Sequence, residues 1–478
     1  MRREVVRQFQ ALLGNSNVIN GHAGLERYPD GTYEAVWPMT RHWRFGTEFG
    51  ARYFPALVLR PASTRQVAQI LKTANRNKVP VIPLSGGTNL VGATVPLHED
   101  DAVILDMRRM NKIKGIDDRY LSAVVEPALT LAGLQDALNR HGLCHGILPG
   151  SAEWATVGGS ICMDAHTKCG FKYGTVSENL LELEVVTPEG GVVRTGPWFG
   201  AGYNLRQLFV GSEGSLGVIT EVTMKVHREP EVRFNTCYAF KTFGDAVKAQ
   251  QEIWFTEMPA VSTVLAYDER LPFDYKGFRD APGGKSGEGW VITGLEGSKI
   301  DVAEAKVQAA RIVRSNHGRT YSAGHIPPEE DLMLFLSSKE KVTSKSDGGK
   351  ASSGPFIVSR HVWIPPGEVV RVRDSIKKTV LDHGQRYAGS ISSPDRLNPA
   401  FLTDLDDAAQ LRATSQILEE IGVVVHKAGG TMLAAHGVGL ANKAVFRGER
   451  EQAALELMRR VKRAMDPLGL MNPHKFLD

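Results

Sequence analysis

Between residues 55 and 142, short apolar runs alternate with segments of helical periodicity. Apolar positions with helical spacing follow a Ser63 or Thr64 cap, and they follow a Thr130 cap again in a second helix that ends at Gly142. This rhythm of strands and helices predicts an α/β layer structure for the first part of the chain. The runs that predict strands are 56–61, 79–84, 102–107 and 122–128.

Three glycine-rich segments interrupt this pattern, and each lies beside a predicted strand. They span residues 79–96, 147–193 and 208–226, and the first contains the adjacent Gly86 and Gly87. Adjacent glycines let the backbone approach another molecule closely, and successive N–H groups can form an anion-binding concavity. None of the three is a Walker loop or a G-x-G-x-x-G helix start. One extended phosphate-bearing ligand is a simpler explanation than three unrelated turns, although a turn that binds nothing stays open for each loop alone.

After residues 229–230 the glycine loops cease, and the pattern predicts a second unit of mixed helices and strands. The polar, low-complexity segment 337–355 is typical of an exposed loop. Strands are predicted at 234–240 and 289–295, and helices at 244–255, 301–317 and 367–383. A last amphipathic helix is predicted at 450–465, with an apolar face made of Ala454, Leu457, Met458, Val461, Ala464 and Met465.

Composition narrows the class of protein. The 478 residues are 42% hydrophobic and 23% charged, which predicts two or three globular units. With 57 basic and 53 acidic residues, the net charge of +4 is too small to predict binding to nucleic acid or to anionic membranes. The four cysteines form no C-x-x-C pair, which argues against a zinc site and fits a reducing compartment. Without a signal-like segment or an apolar run of about 18 residues, we expect a cytoplasmic protein without a membrane span.

Five motifs then occur in a diagnostic order: PLSGGTNLVGA, SAEWATVGGSI followed by KYGTVSENLLELEVVTPEG, LFVGSEGSLGVITEV, AAHGVGLANK and DPLGLMNP. Together they resemble flavoproteins of the vanillyl-alcohol-oxidase/p-cresol-methylhydroxylase superfamily. The chain is most similar to the branch of D-lactate dehydrogenase, D-2-hydroxyglutarate dehydrogenase and the glycolate oxidase flavin subunit. The resemblance covers nearly the whole chain. It implies an α+β fold with a two-subdomain PCMH-type FAD-binding domain (1–228), an antiparallel-sheet cap domain (229–440) that binds substrate, and a C-terminal segment (441–478) that packs on the FAD domain and returns to the flavin.

The resemblance also implies FAD as the cofactor and assigns the three glycine loops to it. The first would wrap the pyrophosphate, the second would follow the pyrophosphate and isoalloxazine, and the third would contact the adenine side through its backbone. Some relatives attach FAD through a histidine in the first loop, but this chain has Gly86-Gly87-Thr88 there, so we expect non-covalent FAD. The implied FAD-binding residues are Pro83, Leu84, Ser85, Gly86, Gly87, Thr88, Asn89, Pro149, Gly150, Ser151, Ala155, Thr156, Gly158, Gly159, Tyr173, Gly174, Glu213, Gly217, Val218, Ile219 and Asn472.

His436, in the motif AAHGVG, is the expected catalytic base. In the hydroxy-acid branch the matching motif is Glu-His-Gly, where the glutamate binds a divalent metal and the histidine removes the substrate hydroxyl proton. Imidazole suits that role because it exchanges protons near neutral pH. Here Ala435 replaces the glutamate, and residues 388–399 contain no histidine where the branch has its other ligands. Since a metal needs several converging donors, we expect no catalytic metal.

Without a metal, either cationic side chains bind the substrate or the substrate differs from that of the branch. The sequence therefore predicts an FAD-linked oxidase or dehydrogenase that oxidises the CH–OH group of a small molecule by hydride transfer to flavin N5. A phenolic or other C–H donor, or a non-catalytic flavin subunit of a larger complex, are the alternatives. The electron acceptor (oxygen, a quinone, a cytochrome or a partner flavoprotein) and a homo-oligomeric state stay open. Candidate substrate residues are Lys339, Arg360, His361, Tyr387 and Arg396, each of which has a solvated surface position as its alternative.

Overall fold

The computed structural model divides the chain into two compact units. Unit 1 comprises residues 1–167, 174–228 and 436–478, and unit 2 comprises residues 168–173 and 229–435. Unit 2 thus ends five residues before the expected cap boundary at 440, and it includes a short segment taken from the second glycine loop. The structure describes residues 1–20, 55–89, 91–96, 102–149, 151–167, 169–196, 201–268, 289–321, 355–385, 387–404, 407–475 and 477.

The first sheet of unit 1 carries the first glycine loop at the end of an edge strand. Its strand order is β1-β2-β4-β3, with β2, β4 and β3 parallel. The helix between β2 and β3 is capped by Ser63, whose hydroxyl accepts the Gln66 N–H, and its periodic Val67, Ile70, Leu71 and Ala74 are buried, which confirms the predicted helix. The elements are α1 (Arg3–Leu13), β1 (Val18–Asn20), β2 (Leu57–Leu59), α2 (Thr64–Asn77), β3 (Val81–Leu84) and β4 (Val103–Asp106).

The second sheet of unit 1 is antiparallel and carries the third glycine loop. Its strand order is β5-β6-β10-β8-β9, and β8 and β9 form a hairpin in which the Thr187 N–H donates to the Gly191 carbonyl. Thr130 caps α3 as the sequence predicts. The elements are β5 (Ile113–Asp117), β6 (Ser122–Val125), α3 (Leu131–Asn139), β7 (Leu143–Cys144), α4 (Val157–Cys162), α5 (Gly170–Tyr173, in unit 2), β8 (Leu180–Val186), β9 (Val192–Arg194), β10 (Val218–Lys225) and β11 (His227–Arg228).

Unit 2 is built on one antiparallel sheet, as expected for the cap domain. Its strand order is β15-β12-β14-β13-β18-β19-β16, with β17 paired to β19. Helices α6 and α7 pack on β14, whereas α8 and α9 pack on β19. The predicted loop 337–355 lies outside the described residues except for Pro355, which begins a strand. The elements are β12 (Val232–Phe240), α6 (Phe243–Phe255), β13 (Val261–Asp268), β14 (Gly289–Gly297), α7 (Lys299–Ser315), β15 (Arg319–Tyr321), β16 (Pro355–Ser359), β17 (Val362–Trp363), α8 (Val369–Asp382), β18 (Tyr387–Ser393), β19 (Arg396–Asp404) and α9 (Ala408–Lys427).

The C-terminal helices α10 (Lys443–Glu449) and α11 (Gln452–Met465) belong to unit 1. The predicted apolar face of α11 is wrong in part, because Leu457 is 62% exposed and the fully buried residues of this helix are Leu455 and Lys462. After α11 the chain pairs with β3, since the Val81 N–H donates to the Leu470 carbonyl and the Asn472 N–H donates to the Val81 carbonyl. The C-terminal segment therefore extends the first sheet beside the first glycine loop.

Lys462 is a charged residue at a buried position of α11. The Lys462 ammonium donates to the carbonyls of Ser215 and Met471, both at 2.8 Å, and to the Asp466 carboxylate at 2.5 Å. Asp466 also accepts the Met471 N–H at 2.8 Å. Every proton of the ammonium has an acceptor, which is the condition for burying a charge without a large penalty. The lysine thus ties the third glycine loop to the C-terminal segment.

We expect Lys462→Met to lower the free energy of unfolding of unit 1 by about 3–5 kcal/mol, because it leaves Asp466 buried without its cation. The matched control is Lys378→Met, which breaks an i,i+4 lysine–aspartate pair at 2.6 Å whose side chains are 77% and 59% exposed. That change should leave stability nearly unaltered, because solvent screens an exposed pair. Urea unfolding of both variants checks the contrast, and equal losses would contradict it.

His145 is a second buried polar residue of unit 1. Its Nε2 lies 2.9 Å from the Leu131 carbonyl and its Nδ1 accepts the Ile147 N–H at 3.2 Å, so the neutral Nε2–H tautomer satisfies both partners. Burial lowers the pKa of His145 to about 4, although its two backbone hydrogen bonds act in the opposite direction. Protonation would force an Nδ1–H against the Ile147 N–H.

Unit 1 should therefore lose stability as the pH falls from about 6.5 to about 4, since in this window the unfolded histidine binds a proton and the folded one does not. The loss from this residue is about 3 kcal/mol, and it levels off below the folded pKa. Urea unfolding of the wild type and of His145→Gln, at neutral pH and at about pH 4, measures it. The advantage of the wild type over the variant should shrink as the pH falls, and a constant difference would contradict the assignment.

Candidate cofactor and active site

The first glycine loop follows directly from β3, whose last residues are Pro83 and Leu84. The N–H groups of Gly86, Gly87 and Thr88 donate to no partner within the part of the chain that the structure describes. Gly87 has a left-handed φ of +65°, and a Cβ on Gly86 would overlap the Trp154 carbonyl oxygen. Asn89 stiffens the end of the loop, because its side chain accepts the Ala93 N–H at 2.9 Å. Three consecutive unpaired amides with a left-handed residue among them fit a phosphate group.

The second glycine loop meets the first through side-chain hydroxyls. Thr156 caps α4 by accepting the Gly159 N–H, and its hydroxyl donates to the Ser85 hydroxyl at 2.8 Å. A Cβ on Gly159 would lie only 3.0 Å from the Ser85 hydroxyl oxygen, and one on Gly158 would lie 2.6 Å from the Pro127 Cβ. Glycine is therefore required by close packing at both positions. Pro149, Ser151 and Ala155 form the turn that leads into this contact, since Pro149 accepts the Ala152 N–H and Ser151 accepts the Ala155 N–H at 2.7 Å.

The third glycine loop packs on the first from the other side. Gly214 has a φ of +71°, and a Cβ there would lie 3.1 Å from Pro83 Cγ. Gly217 has a φ of +155°, and a Cβ there would lie 2.9 Å from the Val186 carbonyl oxygen. The side chains of Val218 and Ile219 are buried in the core, so these two residues present only backbone to a ligand. The three loops thus lie side by side in unit 1, as a single extended ligand requires.

The remaining expected FAD-binding residues do not all lie in the same unit. Gly150 lies outside the described residues. Tyr173 ends α5 in unit 2, whereas Gly174, with a φ of +81°, belongs to unit 1. Asn472 is buried, and its side-chain amide donates to the carbonyls of Ala93 at 2.8 Å and Glu213 at 2.7 Å. Its Oδ1 has no hydrogen-bond partner among the described residues. The side chain of Asn472 thus joins the first and third loops.

The loop that carries His436 is held by the third glycine loop. Glu213 is buried, and its carboxylate accepts the N–H of Val438 at 2.6 Å and the N–H of Gly439 at 3.1 and 2.9 Å. The Leu440 N–H donates to the carbonyl of Val91, which lies in the first glycine-rich segment. His436 itself is half-buried and has a left-handed φ of +72°. The expected base therefore lies two residues from a point where the first and third loops meet.

Glu213 has a buried cationic neighbour. Burial raises the pKa of Glu213 to about 7, whereas the N–H groups of Val438 and Gly439 and the charge of Lys475 act in the opposite direction. Burial likewise lowers the pKa of Lys475 to about 7, and the charge of Glu213 opposes this shift. The Lys475 ammonium donates to the Val95 carbonyl. The sequence missed this contact between Glu213 and the His436 loop, because no local pattern links positions more than 220 residues apart.

Unit 2 brings three of the five candidate substrate residues into one region. The Arg360 N–H donates to the Pro399 carbonyl, and Trp363 pairs with Arg396, so the segment with Arg360 and His361 runs antiparallel to the start of β19. Burial lowers the pKa of Arg360. Tyr387 lies elsewhere, because its hydroxyl is buried near Asp268 and Arg373, which are joined at 3.3 Å. Lys339 lies outside the described residues.

Metal ligands and reactive thiols are the remaining candidates for chemistry. Across the described residues, no three histidine, cysteine or acidic side chains are grouped so that they could hold a metal ion, and no helix is long and apolar enough to cross a membrane. None of the four cysteines, all of which lie in the described part of the chain, forms a disulfide bond. Burial raises the pKa of Cys162, beside the third loop, to about 12, so this thiol stays protonated near neutral pH.

Comparisons with known proteins bear on this site as a whole. The family model described as FAD binding domain matches residues 55–196, and the model described as FAD linked oxidases, C-terminal domain, matches residues 229–476. The chain is 27% identical to a mitochondrial D-lactate dehydrogenase [cytochrome] of Saccharomyces cerevisiae, with 99% of this chain and 79% of that protein covered. It is 26% identical to glycolate oxidase subunit GlcD of Bacillus subtilis, with 88% of this chain and 89% of that protein covered.

Solved structures show the same fold. An alkyldihydroxyacetonephosphate synthase aligns with a TM-score of 0.79 at 22% identity, covering 99% of this chain and 85% of the synthase chain. The 4-ethylphenol oxidase from Gulosibacter chungangensis aligns with a TM-score of 0.74 at 18% identity, covering 99% of this chain and 96% of the oxidase chain. These matches confirm the expected superfamily, the α+β fold and FAD as the cofactor. Since one family model alone spans more than half of its length, the chain belongs to the FAD-linked oxidases and is an FAD-dependent oxidoreductase.

Proposed function

We propose that the protein oxidises the CH–OH group of a small molecule, with His436 as the base and without a catalytic metal. The observation that carries this proposal is the attachment of the His436 loop to both the first and third glycine loops, through Val91 and Glu213. A histidine held at that junction lies next to the backbone that fits the cofactor. The names of the relatives, D-lactate dehydrogenase and glycolate oxidase subunit, support a hydroxyl-bearing substrate.

The chain's own residues supply binding and proton transfer. Bound FAD would supply a hydride acceptor, N5 of its ring. The N–H groups of Gly86, Gly87 and Thr88, which have no partner among the described residues, would hold the pyrophosphate, and the side-chain-free faces of Gly86 and Gly159 allow the first two loops to pack against each other. His436 takes the hydroxyl proton as the C–H bond breaks, which is the usual role of a positioned imidazole. Burial of the thiols and the absence of a histidine in the first loop support non-covalent binding.

For the substrate we propose a 2-hydroxy acid or a related alcohol. A carboxylate needs a cationic partner, and without a metal the sequence offers Lys339, Arg360 and Arg396 as candidates for this role. A guanidinium presents a fork that matches a carboxylate with two parallel hydrogen bonds. Reoxidation of the reduced protein by oxygen, a quinone or cytochrome c identifies the electron acceptor.

Replacement of His436 tests the base. Because residue 436 has a left-handed φ of +72°, we compare His436→Ala with His436→Asn, since asparagine tolerates that backbone better than alanine. Both variants should keep the visible flavin spectrum and reduce their flavin about 10²- to 10⁴-fold more slowly than the wild type under anaerobic conditions. His141→Ala, at an exposed position of unit 1, serves as the control and should leave the rate unchanged.

The substrate panel for this experiment contains D-lactate, D-2-hydroxyglutarate, glycolate and simple aromatic alcohols. Normal reduction of His436→Asn by a substrate of the wild type would overturn the base assignment. A yellow protein that no alcohol reduces would contradict the proposed oxidation and favour an activity of the type named for the synthase relatives.

Metal removal tests the second part of the proposal. Dialysis against EDTA should leave the rate of flavin reduction unchanged, and added Zn²⁺ or Mn²⁺ should not raise it, because Ala435 offers no donor and residues 388–399 contain no histidine. Metal analysis of the purified protein accompanies the assay. Loss of reduction on chelation, with recovery on adding one metal, would refute the metal-free mechanism.

A further inference from the structure

We propose that Glu213 is a positioning residue for His436, and that it fixes the main-chain conformation of the loop 436–440 rather than contacting the cofactor. The inference rests on the proposed role of His436 and deepens it. It reassigns Glu213, which the family resemblance places among the FAD-binding residues. The Glu213 carboxylate reaches this loop from the third glycine loop through its hydrogen bonds to Val438 and Gly439.

Both carboxylate oxygens are already engaged. Oε1 accepts the N–H groups of Val438 and Gly439, and Oε2 accepts the Gly439 N–H at 2.9 Å. Charge-assisted bonds of this kind are shorter and stronger than neutral ones. A carboxylate so placed would also repel the phosphates of a dinucleotide. The geometry therefore directs Glu213 to the protein backbone.

The loop that Glu213 holds has an uncommon conformation. His436, Gly437 and Gly439 have φ values of +72°, +78° and +50°, and Glu213 itself has a φ of +53°. Left-handed backbone at residues with a side chain costs energy and persists only where neighbouring contacts enforce it. Such strain concentrates where a side chain must be aimed. The hydrogen bonds of Glu213 join two segments with left-handed backbone. Glu213 lies in one of these segments, and His436 lies in the other.

The loop also packs so closely against its neighbours that Gly437 and Gly439 leave no room for a side chain. A Cβ on Gly437 would lie 2.7 Å from Glu213 Oε1 and 2.7 Å from Met163 Cε, and a Cβ on Gly439 would overlap the Val91 carbonyl oxygen. The backbone of the two glycines thus packs directly on the Glu213 carboxylate and on the Val91 carbonyl of the first glycine loop. The two glycines of the AAHGVG motif are needed for this approach.

The main chain of the glutamate is itself fixed by two hydrogen bonds, and a buried cation favours its ionised form. Its N–H donates to the Cys162 carbonyl at 2.8 Å, its carbonyl accepts the Asn472 side-chain amide at 2.7 Å, and the buried Lys475 stabilises its charge. A glutamine in this place has one acceptor oxygen, and its NH₂ group would face a second N–H. Glu213→Gln is therefore a nearly isosteric change that removes the specific function of the carboxylate.

The first test needs no substrate. In the FAD-loaded protein, hydrogen exchange of the Val438 and Gly439 amides is followed by mass spectrometry on a peptide that covers 436–440. Glu213→Gln should exchange these amides about 10- to 100-fold faster than the wild type, because one acceptor oxygen and the charge that strengthens the remaining bonds are lost. Glu126→Gln is the matched control, since Glu126 is a buried carboxylate that accepts a single backbone N–H, that of Lys112 at 2.9 Å. The control should leave the 436–440 peptide unchanged.

The second test asks whether Glu213 acts through His436. With an alcohol that reduces the wild type, Glu213→Gln should slow flavin reduction about 10- to 100-fold and change the substrate dissociation constant less than about threefold. The double variant Glu213→Gln/His436→Asn should be no slower than His436→Asn alone, because a residue that only positions the base has no effect once the base is absent. If Glu213→Gln does not fold, Glu213→Asp, which keeps the charge but shortens the reach, should show the same loss of amide protection.

Each outcome has a distinct meaning. Unchanged protection of Val438 and Gly439 in the Glu213 variants would overturn the positioning role, and so would additive effects of the Glu213 and His436 substitutions. Normal flavin reduction by His436→Asn would instead overturn the proposed function. Loss of FAD from Glu213→Gln, with the 436–440 peptide still protected, would return Glu213 to the cofactor-binding residues and refute the inference.

Discussion

The carboxylate of Glu213 joins two parts of the chain that are 225 residues apart, and the rest of the site depends on that contact. On one side lies the third glycine loop, fixed by its position before β10. On the other side lies the loop 436–440, which presents backbone N–H groups to the carboxylate and carries His436. Because both oxygens of the carboxylate are used, the contact sets distance and orientation together. Few side chains other than a charged glutamate can satisfy two neighbouring amides at that depth.

A series of buried polar side chains completes this arrangement from the C-terminal segment. Lys462 ties the Ser215 carbonyl to Met471, Asn472 bridges Ala93 and Glu213, and Lys475 reaches the Val95 carbonyl. Each donates to at least one backbone carbonyl of the first or third glycine loop. Apolar contacts would hold the same segment with less directional control, whereas a hydrogen-bonded ammonium or amide specifies one register. The C-terminal residues therefore belong to the architecture of the FAD domain.

Much of the fold follows from local signals in the sequence. Ser63 and Thr130 cap the helices they were expected to cap, and the spacing of Val67, Ile70, Leu71 and Ala74 identifies the buried face of α2. The glycine loops are predictable because a left-handed φ, as at Gly87, or a close approach, as at Gly158, leaves glycine as the residue that fits.

What the sequence could not predict depends on long-range partners. The helical periodicity placed Leu457 on the buried face of α11 and did not identify Lys462 as buried. A lysine is expected at the surface unless the acceptors that bind its ammonium group are known. The role of Glu213 is hidden for the same reason, because its partners Val438 and Gly439 lie in another motif. Tyr387 lies on the opposite face of the sheet from His361 and Arg396. Which side chains share a face cannot be predicted before the register of β18 and β19 is known. The membership of residues 168–173 in unit 2 likewise depends on contacts such as that between Phe171 and Trp254.

The pairing of Met471 with Val81 has a consequence for how the protein folds. The two residues lie far apart in the sequence, so this bridge closes a long loop and should form late in folding. Until it forms, β3 exposes an unpaired sheet edge beside the first glycine loop, which is a hazard for aggregation. A ligand that binds the closed cradle stabilises it by mass action, so binding of the flavin and closure of this edge can reinforce each other.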